Sequence, residues 1–216
     1  MATFAQALPW VISHEVIGWP VGEQDIAAGM AAVQARGHLG WWFTETPGDR
    51  GGATAWGLTL KIAQAHGIGT VEDLQAISAE KLAQVYRADF WRFDGLTDQR
   101  LATKLLDMAV NMGFHPAIHL AQEALGLLGV RLALDGAYGP NTETALNASN
   151  PDTVLHGLVV EAADYYRAIV AHEPSQAQFM AGWLSRAGDL PPFASAGSVS
   201  RGCVGTTPGA SDGGDS

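Results

Sequence analysis

Phe4, Leu8, Val11 and Ile12 recur at three- and four-residue spacing near the start of the chain. That spacing puts them on one face of an α-helix, so residues 4–16 are predicted helical, with Pro9 in the first turn or at a kink. Glu15 lies close to three full turns beyond Phe4 and so shares the apolar face. A second run, 23–36, places Ile26, Met30 and Val33 together. Helical patterns also cover 59–66, 78–90, 98–112, 116–128, 141–148, 151–171 and 176–187. Thr59, Ser78, Asn141 and Ser149/Asn150 supply cap chemistry. The stretch GWWFTETPGDRGGATAWGL, residues 40–58, breaks the pattern. Its aromatics, threonines, Pro-Gly and Gly-Gly fit a short irregular hairpin. The predicted class is mainly α, an α+β helical bundle with one short β-hairpin near 40–58.

Composition narrows the function. The chain has 216 residues, 47% of them hydrophobic, enough for one core or two small lobes sharing one. Only 16% are charged, the net charge is −10, and Lys and Arg form no run. Nucleic acid and anionic membranes are poor partners for such a chain. No apolar run is long enough to span a bilayer, so no membrane insertion is expected. The opening MATFAQALPW lacks a basic n-region, so no ordinary signal peptide is expected. Cys203 is the single cysteine, which excludes an internal disulfide and a Cys-based zinc site. His115 and His119 are four apart on a predicted helix, but no histidine spacing names a metal site. Residues 191–216 begin Pro191-Pro192 and turn Gly/Ser/Thr-rich from Ala194; they read as a flexible tail.

A carboxylate on an apolar face has two readings. It can be a partly buried Glu satisfied by a backbone or Arg partner. It can also be a general acid whose proton is held by desolvation. The segment TPGDRGGATAWGLT adds Asp49 as a second carboxylate and Thr54 as a hydroxyl able to hold a water. Two carboxylates in different environments are the kit for glycoside hydrolysis. Trp10, Trp19, Trp41, Trp42 and Trp56 crowd the first 56 residues. Their faces suit sugar rings, although a buried Trp is also ordinary core.

FAQALPWVISHE followed by TPGDRGGATAWGLT resembles the glycoside hydrolase family 108 lysozymes. That family has a helix ending in His-Glu-Gly-Gly-aromatic, then an Asp-Pro-x-Asp-x-Gly-Gly-x-Thr hairpin. YRADFW, 86–91, is similar to the motif closing its domain. LLDMAVNMG (105–113), LAQEALGLLG (120–129), DGAYGPNTETAL (135–146) and FMAGWLSR (179–186) resemble the peptidoglycan-binding module that usually follows. The resemblance implies a lysozyme-like fold: a catalytic lobe over 1–94, a helical peptidoglycan-binding-like lobe over 95–190, and the tail. It implies an N-acetylmuramidase of the lysozyme or endolysin kind, without a cofactor, cutting the β-1,4 bond between N-acetylmuramic acid and N-acetylglucosamine. Glu15, Asp49 and Thr54 fall on the family's catalytic positions. Trp41, Trp42, Trp56 and Asn111 are the candidate substrate contacts. In this reading Glu15 faces a cleft between the lobes, and burial keeps it protonated. The expected partner is the glycan strand, with virion-tail or cell-envelope proteins as further candidates. The expected setting is phage-like: host cytoplasm with release to the wall, or the virion.

The chain departs from the family pattern in one large way. Between Glu15 and the Gly-aromatic step at 40–42 stands VIGWPVGEQDIAAGMAAVQARGHL. Either residues 16–39 are an insertion that loops out, or the acid is lost and Gly40 stands in its place. Insertions at a surface are tolerated, and His14-Glu15 ends the right helix, which favours looping out. Thr46 replaces the first Asp of the hairpin motif, and Ala55-Trp56 replaces its Asn-aromatic. Glu45 is the reserve acid. Two rivals remain: a wall-binding or virion structural protein without catalysis, and a lytic transglycosylase.

Overall fold

The computed structural model describes residues 1–45 and 52–192. The opening helix, α1 (Phe4–Glu15), buries Phe4, Ala7, Leu8, Val11 and Ile12. Pro9 sits in its second turn, buried, without ending it. Residues 16–39 lead from α1 toward the sheet. Their helix α2 (Ile26–Gln34) is capped by Asp25, which accepts from the Ala28 N–H at 2.8 Å. Met30 and Val33 are buried, and α2 packs on α5 (Ala79–Phe90). The loop then returns through a 3-10 turn, Leu39–Trp41. There the Ile17 N–H donates to the Trp41 carbonyl at 3.0 Å. The segment holding Gly40 therefore comes back alongside the end of α1.

Three two-residue strands follow: β1 (Phe43–Thr44), β2 (Thr54–Ala55) and β3 (Leu58–Thr59). They pair antiparallel in sequence order, with Phe43 opposite Ala55 and Ala55 opposite Leu58. The expected hairpin is thus a small three-stranded sheet. Thr59 caps α3 (Leu60–Ala65) and Ser78 caps α5, as their spacing predicts. A short helix absent from the sequence reading, α4 (Val71–Gln75), is closed by a reciprocal box between Thr70 and Asp73.

α6 (Gln99–Met112) starts on Asp98, whose carboxylate accepts from the N–H groups of Arg100 and Leu101. It lies at the centre and packs against α1, α5, α7 (Phe114–Leu127) and α9 (Pro151–His172). α8 (Pro140–Ala148) begins one residue earlier than expected. Pro140 takes the first helical position, where its missing N–H costs nothing, so Asn141 is not the cap. A 3-10 turn, Pro174–Phe179, precedes α10 (Met180–Gly188). One hydrophobic core runs from Ala2 to Ala187. Phe93 helps to join its halves, with ring centroids 5.6 Å from Trp91, 5.9 Å from Phe114 and 5.1 Å from Tyr138. The fold is mainly α and lysozyme-like. The tail from residue 193 lies outside the described residues.

Candidate active site

Glu15 is the last residue of α1, and its side chain is only 19% exposed. Its Oε1 stands 2.6 Å from Nη2 of Arg186 on α10. The same Nη2 is 2.8 Å from Asp107 Oδ1 on α6, and Arg186 Nε donates to that oxygen at 2.9 Å. One guanidinium therefore bridges carboxylates from two other helices. Burial by itself would lower the Arg186 pKa. The Asp107 and Glu15 carboxylates outweigh it and hold the group above its ordinary value. Of the two readings open for a carboxylate on an apolar face, the Arg partner is present.

The other wall of the site is the turn between β2 and β3. Trp56 (φ 53°) and Gly57 (φ 78°) both have positive φ, as a type I′ hairpin turn requires. A Trp in that region is strained, and three contacts hold it. Its N–H donates to the Trp42 carbonyl at 2.7 Å. Its carbonyl accepts from the Tyr86 hydroxyl at 2.9 Å. Its ring stacks on Trp42, centroids 4.9 Å apart. The turn brings Gly57 against Glu15. A Cβ at Gly57 would lie 2.6 Å from Tyr86 Oη and 2.7 Å from Glu15 Cγ. The Tyr86 pKa is pushed well up, first by burial and then by Glu15, with Arg186 opposing. The phenol therefore stays a neutral donor.

The remaining nominees are scattered around this junction. Thr54, half-buried on β2, lies opposite Thr44 and Thr59. Asp49 lies outside the described residues. Glu45 is exposed just beyond β1. Trp41 is half-buried, stacked on His38 at 4.5 Å with Arg36 above its ring at 5.9 Å. Trp42 is half-buried against Trp56. Trp56 itself is wholly buried. It offers no face to a sugar and is corrected from substrate contact to the support of the turn. Asn111 accepts from the Tyr166 hydroxyl at 2.6 Å. It lines a cavity of about 350 Å³ together with His14, Trp183, Arg186 and Asp189. That cavity adjoins the Glu15 pair through Arg186.

Arg186, Asp107 and Tyr86 were not among the nominees. The signal for two of them was in the sequence, because Asp107 and Arg186, like Glu15, sit in amphipathic helices among apolar neighbours. His14 joins the same cluster, with Nε2 2.9 Å from Asp189 Oδ2. Among the described residues no group of three or more His, Cys, Asp or Glu side chains is arranged to hold a metal. His119 instead lies 3.5 Å from Glu123.

Residues 35–113 match the family model for glycosyl hydrolase 108, and residues 116–188 match the model for a predicted peptidoglycan domain. The chain is thus similar to a glycosyl hydrolase 108 domain over the first stretch and to a peptidoglycan domain over the second. These two matches support a peptidoglycan-acting protein of the glycoside hydrolase type. A solved structure titled Brucella abortus SagA is similar over 85% of this chain and 88% of its own, with a TM-score of 0.60 and 24% identity. At that identity the likeness concerns the fold. Comparison with curated protein sequences yields no match. The glycosyl hydrolase 108 match begins after Glu15, so the α1 carboxylate is connected to it through space. The Ile17–Trp41 hydrogen bond and the Glu15–Gly57 contact make that connection.

Proposed function

We propose that the protein is an N-acetylmuramidase that hydrolyses the β-1,4 bond between N-acetylmuramic acid and N-acetylglucosamine, with Glu15 as general acid. One observation carries the reading: Glu15 ends α1 packed against the Gly57 turn of the glycosyl hydrolase 108 hairpin, facing Arg186. Glu15 gives its proton to the glycosidic oxygen as the bond to the muramic C1 breaks. Arg186 then stabilises the carboxylate that remains. Water adds to C1, and its proton returns to the enzyme. In the family resemblance Asp49 steadies the oxocarbenium-like centre or orients that water, and Thr54 helps to hold it. Trp41 and Trp42, half-buried, offer faces for sugar stacking. The peptidoglycan domain keeps the chain on its glycan strands. An endolysin or virion-borne lysin is the setting that goes with this activity.

A wall-binding protein without catalysis is the second reading. The family match starting at residue 35, with Gly40 at the acid's place, is what favours it. Purified peptidoglycan incubated with the full chain separates the readings. Clearing, with hydrated muramic ends by mass spectrometry, is expected. 1,6-Anhydro ends would mean a lytic transglycosylase. Co-sedimentation with the wall and no clearing would mean binding alone.

A further inference from the structure

Lys104 lies mid-way along α6, and its side chain is 1% exposed. Burial lowers its pKa, while Asp107 and Asp189 oppose the shift. An ammonium out of water is costly, and a hydrophobe of similar length would fill the space without that cost. The site itself suggests what the charge does. Nζ donates to the main-chain carbonyls of Arg186 and Asp189, both at 2.8 Å. Arg186 lies in the last turn of α10, and Asp189 caps it. Carbonyls at a helix C-terminus carry the negative end of its dipole and favour a cation.

The same α6 grips the other end of Arg186. Asp107, one turn on from Lys104, binds the guanidinium, and Lys104 Nζ is 3.7 Å from Asp107 Oδ2. α6 thus fixes both the backbone and the head group of the residue that faces Glu15. His14, next to Glu15 on α1, reaches the same turn through Asp189.

We propose that Lys104 is a positioning residue of the hydrolytic centre. It latches the last turn of α10 so that Arg186 is delivered to Glu15. The peptidoglycan domain thereby supplies a working part of the hydrolase site as well as its anchor. The proposal rests on the muramidase reading above.

The test uses the full chain as wild type, Lys104→Met, Arg186→Gln and the double variant. It measures kcat and KM for release of soluble fragments from purified peptidoglycan, below each variant's melting temperature. Lys104→Met is expected to lower kcat on the order of 10²-fold, the penalty typical of ångström-scale misplacement, with KM nearly unchanged. The double variant is expected to be no slower than Arg186→Gln alone, because both changes act through one guanidinium. A Lys104→Met kcat within twofold of wild type, or losses that multiply in the double, would overturn the proposal. If Lys104→Met does not fold, Lys104→Gln, whose shorter, neutral side chain cannot reach both carbonyls, takes its place under the same criteria. A wild type without activity would sink the muramidase reading and leave the latch to a crystal structure of the variant. Arg186 displaced from Glu15 there would support the latch, and an unmoved 2.6 Å pair would overturn it.

Discussion

Gly57→Ala tests the contact that joins α1 to the hairpin. Two effects combine at this position. The first is the backbone: a non-glycine residue at φ 78° costs about 1–2 kcal/mol. The second is space, since the new methyl falls within 3 Å of Tyr86 Oη and of Glu15 Cγ and Cβ. Overpacking of that kind costs about 1–3 kcal/mol and forces Glu15 or Tyr86 to move. Gly67 provides the control, with φ 81° and nothing within 4 Å of an added Cβ. Gly67→Ala therefore incurs only the backbone cost. At about 2–4 °C per kcal/mol for a chain of this size, Gly67→Ala should melt a few degrees low, and Gly57→Ala on the order of 10 °C low. Thermal melts followed by circular dichroism measure this directly. Peptidoglycan clearing below both melting temperatures should be at least tenfold slower for Gly57→Ala and near wild type for Gly67→Ala. Equal melting temperatures and equal clearing rates for the two variants would refute the close approach of Glu15 to the turn.

Further perturbations give separate checks. Arg186→Met should destabilise by about 3–5 kcal/mol in denaturant titration, because it leaves Asp107 and Glu15 without their shared cation. Trp56→Ala should cost a similar ~3–5 kcal/mol as a core deletion. Trp41→Ala, which removes a half-buried ring, should cost about 0.5–3 kcal/mol and raise KM, read from fragment-release kinetics. The Glu161 pKa is raised, first by burial and then by Glu123 and Asp164. A carboxyl raised in the folded chain favours folding below its unfolded value and loses that contribution as pH climbs through its folded value. Glu161→Gln should therefore raise the melting temperature near pH 7, with the gain fading as pH falls toward 4.5.

Much of the fold was legible because the apolar stripes of α1, α5, α6 and α9 are long and regular. α4 was not, since five residues carry too little periodicity and only its Thr70–Asp73 box marks it. The helix within 16–39 was legible in the spacing of Ile26, Met30 and Val33. Trp56 misled because exposure is not written in a residue type. Its neighbours Trp42 and Tyr86 bury it through contacts made across the fold. Glu15 stood out as a charge on an apolar face. The same rule applied to α6 would have flagged Lys104 and Asp107, which sit among Leu101, Leu105 and Met108. That these charges meet Arg186 could not be read, because the meeting depends on how α1, α6 and α10 pack.

The most direct test of the account is Glu15→Gln, which keeps the shape of the side chain and removes its transferable proton. Turbidity clearing of purified peptidoglycan is the measurement, with circular dichroism to show that the variant is folded. The account predicts that clearing slows by roughly 10²–10⁴-fold while sedimentation with the wall is retained. A folded Glu15→Gln that clears peptidoglycan at the wild-type rate would contradict the account and move the acid elsewhere, with Glu45 the next to be tried.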